Sequence, residues 1–422
     1  MNAASHQVLR ARLVVPVSLP PIADGALVLC DGVVAAVGFW RDVARHWTGP
    51  IADLGEVVVF PGLVNAHCHL DYTGLAGQIA PTASFTDWIK SITSLKGQWT
   101  SEDFARSWRA GAEMLLAGGV TTVGDIEAVP ELLPEVWETT PLRVTSFLEL
   151  TGVRSRVDPR AILHDAVTRA GSLRHGRSRG ALSPHAPYST VPELLRRVAE
   201  VANGRRWPVS IHVSESAEEF EMFLDARGPM YDWVARNQRD MSDCGGVTPV
   251  RHLARCGLLG SNLLAIHANY LDAEDVALLA GSGVSVAHCP RSHAYFGHRP
   301  FPFPSLERAG VNLCLGTDSL VTVERLREPL RLDLLAEARA FLAAHPGVSP
   351  SALLRMMTVN GARALGLGGR VGELAPGAAA DLLALPFSGP AGAAAETLLH
   401  HVGSIPAVMI GGRWERNEIP AA

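Results

Sequence analysis

An alternation through the middle of the chain restricts its fold more than any other feature. Eight runs rich in apolar and β-branched residues lie at 57–69, 120–126, 142–150, 180–185, 208–213, 263–267, 284–288 and 311–315. Helical periodicity fills most of the stretches between them, for example at 104–116, 191–201 and 273–280. Strands that are apolar throughout belong in a parallel sheet covered on both faces, and parallel neighbours need a crossover connection. Eight strand–helix units in succession predict an α/β fold, a (β/α)8 TIM-type barrel. A doubly wound sheet is the competing architecture. It would carry a glycine-rich turn after its first strand, and Asn65-Ala66-His67-Cys68-His69 is not one. A last helix is predicted at 350–365, stopped by Gly366.

The two ends have a different texture. Short Val/Ala/Leu runs recur at 8–60 and again at 371–422, broken by turn pairs such as Asp31-Gly32 and Pro376-Gly377. This predicts a small β-sandwich domain formed from both termini (1–60 and 366–422) around a barrel at 61–365. Arg10 and Arg12 before an apolar stretch faintly resemble a leader, but Pro16, Pro20 and Pro21 interrupt it. A β-strand is the better reading. No run reaches the ~18 apolar residues that span a bilayer, so no membrane is expected. A net charge of −5 offers no basic field for phosphates, which argues against nucleic acid as a partner. Six cysteines without a C-x-x-C pair read as reduced thiols of a cytoplasmic protein.

In such a barrel, chemistry sits where strands end. Those positions hold His67 and His69, Glu149, His185, His212, His267, His288 and Asp318. A lone strand histidine is more often a hydrogen-bonded core residue, and Asp318 alone could be a turn or cap. Their gathering at the ends of most strands is what chance leaves unexplained. Three neutral imidazoles and one carboxylate suit Zn²⁺ or another borderline divalent ion, with a position left for water. The zincin H-E-x-x-H, the cytidine-deaminase H-x-E with P-C-x-x-C and the G-x-S-x-G elbow are all absent.

With those residues assembled, the chain resembles the amidohydrolase superfamily, in its cytosine/adenosine-deaminase-like and chlorohydrolase-like branch. The resemblance rests on six stretches of the barrel: 61–69, 183–189, 211–215, 266–268, 288–292 and 315–319. The tail adds 372–377 and 380–382, so nearly the whole chain is covered in order. It implies that His67, His69, His212 and Asp318 hold one divalent metal ion, Zn, with Fe as the alternative. It implies Glu215 as proton shuttle, His267 as the residue that orients or polarises water, and Asp318 as a second proton acceptor. Trp88 and His185 would line the substrate pocket. Binuclear relatives bridge two metals with a carboxylated lysine from a middle strand. Only Lys90 and Lys96 occur here, both soon after the first strand, so a mononuclear site is expected.

The expected reaction is hydrolysis of a carbon–nitrogen bond other than a peptide bond. Attack of a metal-bound hydroxide would release ammonia from an amino-substituted heterocycle: a nucleobase, nucleoside or related compound. Two readings stay open beside it: another leaving group (chloride, alkylamine or amide), and a non-catalytic barrel that binds a ligand. Two stretches depart from the nucleoside-deaminase pattern. Asp87-Trp88-Ile89-Lys90-Ser91-Ile92 lacks the expected acid, and the loop after the seventh strand reads Ser292-His293-Ala294-Tyr295-Phe296. His293, with Tyr295, Phe296 and His298, forms either a wall for the heterocycle or ordinary loop packing. Relatives of this kind are often dimers or larger, so a homodimer is one of the assemblies open to this chain.

Overall fold

The computed structural model describes residues 6–80, 82–154, 158–323 and 330–419. Five strands come first: β1 (His6–Val14), β2 (Ile22–Cys30), β3 (Val33–Phe39), β4 (Ile51–Asp53) and β5 (Val57–Pro61). The central strands follow: β6 (Leu63–Cys68), β7 (Val120–Glu127), β8 (Arg143–Leu150), the short β9 (Arg174–His175) and β10 (Ser178–Pro184). They continue with β11 (Val209–Val213), β12 (Leu263–His267), β13 (Ser285–His288) and β14 (Asn312–Leu315). β15 (Leu382–Pro386), β16 (Ala407–Ile410) and β17 (Arg413–Asn417) end the chain.

Eight central strands pair in parallel in the order β6-β7-β8-β10-β11-β12-β13-β14, while β9 is an antiparallel flap on β10. The ring closes through backbone contacts between β6 and the end of β14. The Asp318 amide donates to the His67 carbonyl at 3.2 Å, and Cys68 bridges to Asp318. The Asn65 side chain laces the same seam, donating to Thr317 Oγ1 (2.8 Å) and accepting from the Thr317 amide (3.1 Å). Gly316 is required there, because a Cβ would stand 2.8 Å from both the Cβ and the carbonyl oxygen of His67. The (β/α)8 expectation holds.

The terminal strands form a second sheet, β17-β16-β15-β5-β1-β2-β3, with β4 beside β1. Its core includes Leu27, Val59, Leu382 and Met409. The apolar stretch after Arg10 and Arg12 is indeed strand, running antiparallel to β2.

Two expectations change. The run 57–69 is not one strand: β5 pairs with β1 and β15 in the terminal sheet, and after Gly62 the chain enters the barrel as β6. The Gly62 amide, turned out of both ladders, donates to the Asp381 carbonyl at 3.0 Å. The helix 350–365 is two, Pro350–Met356 and Val359–Ala364. The break frees the Met357 carbonyl to accept from the Val64 amide of β6 at 2.7 Å, a stronger claim than helical continuity.

Candidate metal centre

The elements deliver their chemistry at the carboxyl ends of the barrel strands. On β6 the register against β7 shifts between Asn65 and Cys68. This bulge lets His67 and His69 reach the mouth although Val64 and Ala66 pack the interior. On β12, Leu264 and Ile266 point inward, and His267 breaks that alternation with a φ of 72°. Ser214 (51°), Ala268 (50°) and Asp318 (52°) are likewise left-handed. Such backbone persists only where the surroundings over-determine it. Here the Ala268 amide is held by the Val213 carbonyl at 3.0 Å, and the Asn269 amide by the Ser214 carbonyl at 2.9 Å.

The side chains converge. His67, His69 and His212 present ring nitrogens within 4.8 Å of one another, and ring nitrogens of His67 and His267 lie equally close to each other and to a carboxylate oxygen of Asp318. The two sets share His67, so they describe one centre. Asp318 Oδ1 lies 3.4 Å from His67 Nε2 and 3.6 Å from His69 Nε2, and His212 Nε2 is 3.3 Å from His69 Nε2. The His212 Nδ1–H donates to the His185 carbonyl at 2.9 Å, which fixes the tautomer and leaves the Nε2 lone pair facing its neighbours. Glu215 Oε1 stands 3.4 Å from His267 Nε2.

Electrostatics agree with this geometry. Burial holds the imidazoles of His69 and His212 well below the usual histidine range, and neighbouring imidazoles push them further. Burial brings His267 down to about 3. Burial alone would raise Asp318, but the approach of His67 at 3.4 Å and the neighbouring imidazoles outweigh it and hold the carboxyl well below its usual range. Burial, then Asp318 and Glu219, raise the Glu215 carboxyl well above its usual range. Neutral imidazoles beside one carboxylate are what a divalent cation of nitrogen and oxygen preference needs. Both ring nitrogens of buried His67, and Nδ1 of His69, have no hydrogen-bond partner among the described residues. Lone pairs packed this closely without a donor are costly unless a cation satisfies them.

A cavity of about 370 Å³ opens over the centre, bordered by His69, His212, Glu215, His267 and Asp318. Trp88 and His185, both expected on its wall, line it. His185 Nδ1 shares a 2.7 Å hydrogen bond with Ser189 Oγ. His293 is not among the lining residues. Its Nδ1–H donates to Asn269 Oδ1 at 3.0 Å, and its ring packs edge-on against His288 and His298. Phe296 packs edge-on against both Phe85 and Trp88, with centroids 5.2 Å apart. The wall also uses Tyr72, Lys96, Tyr188 and Trp233, which the sequence alone did not single out. Lys90 turns outward to Asp87 (2.8 Å) and Lys96 meets the Tyr72 hydroxyl.

A profile of the amidohydrolase family matches residues 58–414. The chain belongs to the amidohydrolase family. Among relatives of this amidohydrolase, the 5-methylthioadenosine/S-adenosylhomocysteine deaminase of Syntrophobacter fumaroxidans is 32% identical, covering 87% of this chain and 81% of the relative. The aminodeoxyfutalosine deaminase of Deinococcus radiodurans is 29% identical over 81% of each chain. The crystal structure of an adenosine deaminase from Xanthomonas campestris with bound zinc superposes with a TM-score of 0.83, 26% identity and coverage of 99% and 94%. A metal ion at the barrel mouth is consistent with both the family and the donor set. Among the described residues, no helix is long and apolar enough to cross a membrane.

Proposed function

We propose that this amidohydrolase is a mononuclear, zinc-dependent deaminase that releases ammonia from an adenine-type nucleoside or a related amino-heterocycle. The observation that carries the reading is the Glu215–His267 contact beside the His/Asp centre, on the floor of a pocket with aromatic walls. The names of the relatives, nucleoside deaminases at about one-third identity, support the substrate class.

His67, His69, His212 and Asp318 would hold the ion. When bound, a divalent cation acidifies water enough for it to act as nucleophile near neutral pH. Glu215, a protonated carboxyl in its buried setting, gives a proton to a ring nitrogen next to the carbon under attack. It then takes up the two protons of the nucleophilic water in turn, passing one to the departing amine and keeping the other, so that ammonia leaves and Glu215 ends protonated as it began. His267, neutral and 3.4 Å from Glu215, orients the water. Trp88 and Tyr188, both on the cavity wall, exclude bulk water from the heterocycle.

Proton transfer of this kind is worth about 10²–10⁴-fold in rate. Glu215→Gln is therefore expected to retain its metal, by elemental analysis, and to lose at least about a hundredfold in kcat. Ammonia release from adenosine-type nucleosides, aminopyrimidines and pterins tests the reaction. A protein that binds metal and liberates chloride, alkylamine or an amide product instead of ammonia would overturn it.

A further inference from the structure

The helix that follows Glu215, Ala217–Asp225, begins with Glu218 and Glu219. In sequence they look like the start of a solvated acidic face. In the fold neither is. Glu219 is fully buried, and its Oε2 accepts the Glu215 amide at 2.9 Å. Glu218 points the other way, into the N-terminus of the helix Phe85–Lys96. Its Oε1 accepts the Phe85 amide at 3.1 Å and its Oε2 the Thr86 amide at 2.9 Å, with the Thr86 hydroxyl also donating to Oε2.

The helix Phe85–Lys96 forms part of the pocket's wall through Trp88, Ile92 and Lys96. Its outer face is exposed at Asp87 and Lys90, so few groups other than Glu218 can anchor its start. Ser84 caps the same end by accepting the Asp87 amide. Free helix N–H groups need such partners, and a carboxylate there also meets the positive end of the helix dipole. The Glu215 turn is clasped from its other side as well. Asn269 Nδ2 donates to the Glu215 carbonyl at 2.9 Å, and His293 holds the Asn269 oxygen. This clasp fixes a backbone whose preceding residue, Ser214, is left-handed.

We propose that Glu218 and Glu219 are positioning residues forming a two-way clamp: Glu218 holds the helix bearing Trp88 over the substrate, and Glu219 holds the turn that aims Glu215. The inference rests on the role given above to Glu215, but its two arms separate from that role. Loss of Glu218 loosens substrate binding. Loss of Glu219 slows the proton transfer without loosening the pocket, because Glu215 acts on the transition state rather than on bound substrate.

The test uses the full-length, zinc-loaded protein. Glu218→Ala is expected to raise KM by about tenfold with kcat within about threefold, and Glu219→Ala to lower kcat by about 10–100-fold with KM within about threefold. Amide exchange of Phe85 and Thr86 should accelerate in Glu218→Ala and stay unchanged in Glu219→Ala, where the Glu215 amide accelerates instead. Glu219→Gln, which keeps one acceptor oxygen, should recover most of kcat. Should Glu219→Ala not fold, Asn269→Ala attacks the same turn from the other side and should reproduce the kcat-specific loss. The clamp is refuted if both variants shift the same parameter, or if Phe85 and Thr86 exchange at the wild-type rate in Glu218→Ala. A wild-type protein that releases no ammonia overturns the functional reading alone, since the exchange measurements still decide the clamp.

Discussion

His252 shows how one buried side chain sets a pH response far from the metal centre. It lies in the helix Pro249–Arg255 with its ring tilted on Phe223, and its Nε2 is 3.5 Å from Asp243 Oδ2. Burial lowers it to about 4 despite the opposing pull of Asp243, which Arg239 already engages. A histidine free to titrate near 6.5 when unfolded but held near 4 when folded binds more protons in the unfolded state between those values. Stability from this residue is complete above about pH 6.5 and is lost as pH falls toward 4. We expect His252→Gln to flatten the acid limb of stability, removing up to about 3 kcal/mol of difference between pH 7 and pH 4 in denaturant titrations. An unchanged acid limb would mean that His252 ionises freely in the fold. The residues of the centre were far more legible than this one. His67, His69, His212 and Asp318 stood out because imidazoles and an acid at apolar strand ends are chemically conspicuous. Glu218 and Glu219 did not, since a clamp and a solvated face have the same composition.

Elements carry the next layer of specificity. The helix Ser101–Ala117 begins with a capping box of Thr100 and Asp103, and its existence, though not that start, is predicted by the periodicity at 104–116. What it does was not visible. Trp108, fully buried, donates its indole N–H to Asp125 Oδ2 at 3.0 Å, and Asp125 Oδ1 in turn accepts the Leu70 amide at 3.0 Å. The helix thereby fixes the segment directly after His69. Trp108→Phe keeps an aromatic ring but removes a donor from a buried carboxylate, which costs about 1–3 kcal/mol. Equilibrium urea unfolding should show that loss; a change within about 0.5 kcal/mol would assign Trp108 to packing alone. The segment Phe85–Lys96 was not singled out as a helix, yet Phe85, Trp88 and Ile92 join the main core from one side of it, and Trp88 and Ile92 also border the cavity. Helix 350–365 was read as continuous because periodicity does not register a carbonyl diverted to a neighbouring strand.

At the scale of the molecule, one ion pair among the described residues joins the two sheets. Arg143 at the start of β8 grips Asp381, next to β15, through Nε–Oδ2 at 2.6 Å and Nη2–Oδ1 at 3.2 Å. Asp381 is 1% exposed and also accepts the Gly411 amide at 2.7 Å. Removing one partner of a buried pair strands the other, at a cost of about 3–5 kcal/mol. Asp381→Ala should lower the thermal midpoint in calorimetry while the zinc content per folded chain stays at the wild-type level; an unshifted midpoint would show that the apolar interface suffices. The sequence by itself determined the strand–helix alternation, the terminal sheet and the residues able to bind a cation. Periodicity and residue chemistry are local properties that a linear string preserves. Only the tertiary structure decided that residues 57–69 divide between two sheets and that His293 meets Asn269 beside the Glu215 turn. It also turned two neighbouring glutamates in opposite directions. Those outcomes depend on which backbone groups lack a partner once distant strands meet, and that competition exists only in three dimensions.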